Sequence, residues 1–147
     1  MVRTPDIATT VRSEPRLLQA VRGLVRSYVR SQGFNSDTVD DIVLAVDEAC
    51  TNAIRHAYNG DTCRNISLYL SEEDGSLVIE VRDDGKPAPR EKFNKRVECP
   101  PDDPMQITPG GLGIPLMHAV FDSVEFDCGE TSGNRVRLRL KRPEETA

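Results

Sequence analysis

Hydrophobic and polar positions divide this chain into stretches with two different periods. From Ser36 to Tyr58, apolar residues recur at Val39, Ile42, Val43, Val46, Ala49, Cys50, Ala53 and Ala57, the spacing of a helix that buries one stripe. Ser36 or Asp37 is placed to cap its start, and Asn59-Gly60-Asp61 to end it. An earlier helix is expected from Glu14 or Pro15, with Leu17, Leu18, Val21, Leu24, Val25, Tyr28 and Val29 on one face and Gly33 as its stop. Arg22, Arg26 and Arg30 step along another face of that helix. Such a row is either a solvated face or part of a protein interface.

Elsewhere the period is two. Ile66, Leu68 and Leu70 alternate with polar neighbours, as do Leu77, Ile79 and Val81, and Glu73-Asp74-Gly75 between them is hairpin chemistry. Val124 to Cys128 and Val136 to Leu140 predict two more strands, with Glu130 to Asn134 as the turn, and Ile7 to Val11 a short edge strand. Each strand has one apolar face, so helices should cover one side of the sheet and leave the other wetter. The expected class is α+β: a two-layer α/β sandwich, its sheet mixed but mainly antiparallel, with helices on one face.

The pattern fails after Asp83-Asp84-Gly85-Lys86-Pro87 and stays aperiodic to Thr108. A structureless span of that length inside a compact domain reads as a lid or binding loop. Regular structure resumes after Gly110-Gly111-Leu112-Gly113, where Ile114, Leu116, Met117, Val120 and Phe121 predict a helix that tolerates Pro115 in its first turn.

Composition narrows the function classes. The 147 residues suit one domain, and the net charge is −5. That charge is uneven: residues 1–33 hold six arginines against Asp6 and Glu14, so +4, and the remainder carries −9. An acidic body argues against nucleic acid as the main partner. No run approaches a membrane span, and the first residues lack the apolar core of a signal peptide. Cys50, Cys63, Cys99 and Cys128 are too scattered for a zinc site, and Cys50 on a buried stripe suits a reduced thiol. The expected compartment is the cytoplasm.

Three motifs carry candidate chemistry. Glu48 and Asn52 lie one helical turn apart, about 40° from each other and away from the buried stripe. A carboxylate there can take a proton, and a carboxamide oxygen can ligate a hard cation such as Mg²⁺. Asp83, with Gly85 two residues on, ends a strand and can accept a hydrogen bond from an exocyclic amine. Gly111-Leu112-Gly113 opens a helix, where backbone N–H groups and the helix dipole favour phosphate oxygens. It is not a Walker loop, since no Gly-Lys-Ser/Thr follows.

Glu-x-x-x-Asn on a helix, Asp-x-Gly after a hairpin strand, a long lid and Gly-x-Gly opening a helix, in that order, resemble the GHKL (Bergerat-fold) ATPase superfamily. The phrase Glu48-Ala49-Cys50-Thr51-Asn52-Ala53-Ile54-Arg55-His56-Ala57-Tyr58 is similar to the bacterial anti-sigma-factor serine/threonine kinases of the RsbW and SpoIIAB type. The resemblance covers about residues 7–142 and sets the lid at about 86–109. It implies a histidine-kinase-like ATPase fold using ATP and Mg²⁺, with Asn52 on the metal and Glu48 activating the attacking hydroxyl. Asp83 would read the adenine amino group, Gly85 would let the base lie close, and Gly111, Leu112 and Gly113 would face the phosphates.

It also implies a partner-switching module: phosphorylation of a small STAS-type antagonist, sequestration of a sigma factor or equivalent regulator, and a homodimer, with no direct contact to nucleic acid or membrane. The alternative is an ATP- or ADP-binding module that sequesters a partner without phosphoryl transfer. Three positions depart from the family pattern. Pro87 stands where a further glycine is frequent, and Pro109 where a basic residue often precedes the glycines. Asn134 follows Gly133 where a threonine is common. A cation for the γ-phosphate would then come from Arg90, Lys92, Lys95 or Arg96.

Overall fold

A computed structural model of the chain describes residues 4–88 and 113–144. Five strands, β1 (Ile7–Arg12), β2 (Asn65–Glu73), β3 (Ser76–Asp83), β4 (Ser123–Cys128) and β5 (Asn134–Lys141), form one sheet in the order β1-β2-β3-β5-β4. All four ladders are antiparallel. The expected edge strand is present as β1. Helices α1 (Leu18–Ser31), α2 (Ser36–Asn52) and α3 (Gly113–Val120) complete the described elements with two short helical turns, Pro15–Leu17 and Ala53–Ala57.

The period-two pattern decides which face of the sheet meets the helices. Ile66, Leu68 and Leu70 of β2, Leu77, Ile79 and Val81 of β3, and Val136 and Leu138 of β5 are buried in one core with Val25 and Val29 of α1 and Ile42, Val46 and Cys50 of α2. Each such side chain gains about 1.5–3 kcal/mol by leaving water. The opposite face is charged, as expected of a wetter side. Arg137 and Arg139 pair with Glu73 at 2.6 and 3.1 Å, and Arg82 with Glu80 at 2.7 Å. The Arg82 guanidinium also lies 4.8 Å from the centre of the Tyr69 ring.

Local chemistry fixes the element ends. The start of α2 differs from expectation by one residue: Asn35 is the cap, its side chain accepting from the Thr38 N–H at 2.9 Å. In the β2–β3 hairpin Asp74 and Gly75 have φ of 50° and 81°, the primed turn that matches strand twist. Arg22 and Arg26, two members of the arginine row, are engaged within the chain. They pair with Asp47 and Asp40 of α2 and so tie the two helices together.

A second departure lies in the central helix. The apolar pattern from Ser36 to Tyr58 predicts one helix, but α2 ends at Asn52 and the chain continues as a π-helical turn over Ala53–Ala57. The wider turn still points Ala53, Ile54, Ala57 and Tyr58 inward, while Arg55 and His56 are exposed. Asn59 and Gly60 then take positive φ, and the Gly60 N–H closes the end on Ile54 O at 2.8 Å. Single π turns are frequent at functional sites. The expected lid beyond Ala88 lies outside the described residues, as do Gly111 and Leu112.

Candidate nucleotide site

Glu48 and Asn52 occupy the last two turns of α2. Glu48 Oε2 and Asn52 Oδ1 are buried, and neither has a hydrogen-bond partner among the described residues. An unpaired buried acceptor costs about 1–3 kcal/mol, more if charged. The two lie one turn apart on one helix face, where a single bound group could satisfy both. What they lack is a cation or a proton donor, which is the chemistry expected of a carboxylate base beside a Mg²⁺ ligand. The donor set fits that role. Directly behind them Cys50 is buried, and loss of water pushes its thiol up to about 12. It is an unreactive thiol of the core.

The π turn links this pair to the end of β3. Its Ala57 carbonyl accepts from the Lys86 N–H at 2.9 Å. Gly85 sits against the same residue: a Cβ there would come 2.6 Å from the carbonyl carbon and from the Cβ of Ala57, and nearer still to the oxygen. Gly85 is thus required first by contact with the π turn, a role its sequence context did not suggest. Tyr58 adds a second clamp. Its hydroxyl donates to Asn65 O and accepts from the Asp84 N–H, the latter at 2.8 Å, while Arg64 lies over its ring and donates to Asp84 O.

Asp83 ends β3 with both of its described hydrogen bonds on one oxygen. Oδ1 accepts from the Gly85 N–H and from Asn134 Nδ2, each at 2.9 Å. No donor among the described residues reaches Oδ2, which leaves it to take a proton-bearing ligand group. Burial raises the carboxyl above the ordinary aspartate value, and the two donors pull in the other direction. The turn before β5 braces the same loop, with the Gly133 N–H donating to Gly85 O at 2.8 Å.

The structure therefore brings the Asp83–Gly85 loop against the continuation of the helix that carries Glu48 and Asn52. No hydrogen bond joins Asp83 to either of those residues among the described contacts; Ala57 and Tyr58 are the mechanical link. Gly113 is placed as expected, as the first residue of α3, with Met117 of that helix buried in the core. Gly111 and Leu112 lie outside the described residues, as do Arg90, Lys92, Lys95 and Arg96. Sequence reasoning gave no role to Tyr58 or to Asn134, although the Asn at that position was visible as a departure from pattern.

Among known proteins, residues 11–140 match the family described as histidine kinase-like ATPase domain. The serine-protein kinase RsbW of Halalkalibacterium halodurans is 33% identical over 130 residues, covering 85% of this chain and 78% of that protein. RsbW of Bacillus velezensis is 30% identical over 123 residues, covering 81% and 76%. An anti-sigma F factor of Clostridium botulinum is 28% identical over 120 residues, covering 82% of each. In fold, the chain resembles the RsbU and RsbW domains of a Mycobacterium tuberculosis protein, with a TM-score of 0.61 at 20% identity, covering 95% of this chain and 33% of that one.

Proposed function

Because the chain belongs to the histidine kinase-like ATPase family and is about 30% identical to serine-protein kinases over most of its length, we propose that it is an ATP-dependent protein serine/threonine kinase that also acts as an anti-sigma factor. The acceptor would be a serine or threonine of a small STAS-type antagonist, and the sequestered partner a sigma factor or equivalent regulator in the cytoplasm. The observation that carries the reading is the pair of buried, unpartnered oxygens on Glu48 and Asn52. A domain without a nucleotide site would gain by pairing them.

The roles follow from the chemistry of each group. Asp83 Oδ2 accepts from the adenine amino group, and its other oxygen is already fixed. Glu48 takes the proton of the acceptor hydroxyl as that oxygen bonds to the γ-phosphorus and ADP leaves. Asn52 Oδ1 would hold Mg²⁺, which when bound would neutralise phosphate charge. By the family resemblance Gly111, Leu112 and Gly113 would face the phosphates, of which Gly113 is the first residue of α3. Little covalent help is needed, since phosphoryl transfer depends mainly on positioning and charge.

The test is an intact-mass assay of a candidate STAS-type antagonist incubated with the protein, ATP and Mg²⁺. One phosphate should appear on a serine or threonine. Glu48→Ala should slow that transfer by about 10²–10⁴-fold. Tight complex formation with ATP but no mass shift would leave the binding-module alternative in its place.

A further inference from the structure

Asn134 opens β5 beside Asp83, its ladder partner on β3. Its side chain makes three hydrogen bonds. Nδ2 donates to Asp83 Oδ1 and to Lys86 O, each at 2.9 Å, and Oδ1 accepts from the Ala88 N–H at 2.8 Å. Two acceptors face the nitrogen and one donor faces the oxygen, so the amide has a single consistent orientation. The first residues beyond the Asp83–Gly85 loop are thereby pinned to the same side chain that fixes the carboxylate. A single hydroxyl, with its one proton, could not donate to both Asp83 and Lys86.

We propose that Asn134 is a positioning residue that couples base recognition to the segment 86–88: it holds Asp83 Oδ1 so that Oδ2 faces an adenine amine, and anchors Ala88 with the same amide. The inference rests on the nucleotide-site reading above and deepens it. Its side chain is already engaged by Asp83, Lys86 and Ala88, so it acts through Asp83. Other groups that act on the charge of Asp83 are Asp84, which disfavours ionisation, and Arg64, which favours it. Neither bridges to 86–88.

Two substitutions separate the halves of the coupling. Asn134→Asp keeps an acceptor for the Ala88 N–H but removes the donor to Asp83 and sets two carboxylates face to face. Such a pair shares a proton, and the donor returns when one member is protonated. Asn134→Ala removes both functions.

ADP affinity is measured by calorimetry across pH on the full chain, with Asp83→Asn as reference, and exchange of the Ala88 amide is followed by NMR. Asn134→Ala should bind ADP about tenfold more weakly and expose the Ala88 amide to fast exchange. Asn134→Asp should keep the amide protected. Its ADP affinity should be about tenfold down near pH 8 and recover as pH falls toward about 6. The unchanged protein should show no such recovery.

A pH-independent affinity in Asn134→Asp, at whatever level, overturns the positioning role. Slow Ala88 exchange in Asn134→Ala overturns the anchoring role. If Asp83→Asn itself binds ADP normally, the nucleotide-site reading fails first and the coupling falls with it. If Asp83→Asn loses binding while both Asn134 variants bind as the unchanged protein does, the coupling alone is wrong.

Discussion

The two ends of this site are built on opposite terms. At the end of α2, Glu48 Oε2 and Asn52 Oδ1 are buried with no partner among the described residues. At the end of β3, Asp83 Oδ1 has two donors, Gly85 is closed in by Ala57, and Asp84 is clamped by Tyr58 and Arg64. The first end is incomplete by itself; the second is pre-organised. Recognition of a flat, rigid base profits from groups already fixed, because no ordering cost is left for the moment of binding. Transfer profits from acceptor groups that find their partners only when phosphate, metal and hydroxyl arrive.

Breaking the brace at the recognition end should have the largest effect on the folded state. Gly85→Ala forces a methyl group into the Ala57 carbonyl, an overpacking cost of about 1–3 kcal/mol or somewhat more. Urea unfolding should show that loss, and ADP affinity should fall with it because Lys86 and Asp83 share the loop. Normal stability in this variant would mean the π turn yields, and that the recognition end is less rigid than the contrast requires.

Acidity sharpens the same contrast. Burial raises the Asp83 carboxyl above its ordinary value. Ionising it therefore costs the folded protein: the stability it contributes is fully present below the unfolded value and is lost as pH rises through the raised, folded one. In the unliganded protein, Asp83→Asn should melt at a higher temperature than the unchanged chain at neutral pH, by calorimetric scan. ADP affinity of the unchanged chain should weaken as pH falls through the same raised value. A lower melting temperature in Asp83→Asn would show that the carboxylate is there for stability.

The smallest effect is a control remote from both ends. Asn35→Ala removes the cap of α2 and should cost about 1 kcal/mol in thermal or urea unfolding. Nucleotide affinity should stay unchanged, since the first turn of the helix is far along the chain from Glu48. A parallel loss of affinity would mean that the whole of α2, and not only its last turns, responds to the site.

Much of this was legible in the chain because periodicity reports burial directly. The alternation at Ile66–Leu70 and Leu77–Val81, the Asp74-Gly75 turn and the stripe from Val39 to Cys50 each follow from a single local rule. The order of Glu48, Asn52, Asp83 and Gly113 was equally visible. What escaped depends on contacts between distant segments. The shift from α to π winding at Ala53 leaves the apolar spacing nearly intact, so a helix wheel cannot register it. Asn134 is 51 positions from Asp83, and Tyr58 looks like core until its hydroxyl is seen between Asn65 and Asp84. The arginine row read as a solvated face or a protein interface because the partners of Arg22 and Arg26, Asp47 and Asp40, belong to the next helix.

The division of labour between the two ends is tested most directly by titrating ATP with Mg²⁺ into Asp83→Asn and Glu48→Ala side by side in a calorimeter. Asp83→Asn replaces the acceptor Oδ2 with a group that can present a donor to the adenine amine, and should lose about 1–3 kcal/mol of binding, roughly 5- to 150-fold. Glu48→Ala should bind ATP within about threefold of the unchanged protein, because the role proposed for its carboxylate is on the hydroxyl and not on the nucleotide. Unchanged affinity in Asp83→Asn, with a large loss in Glu48→Ala, would contradict the account.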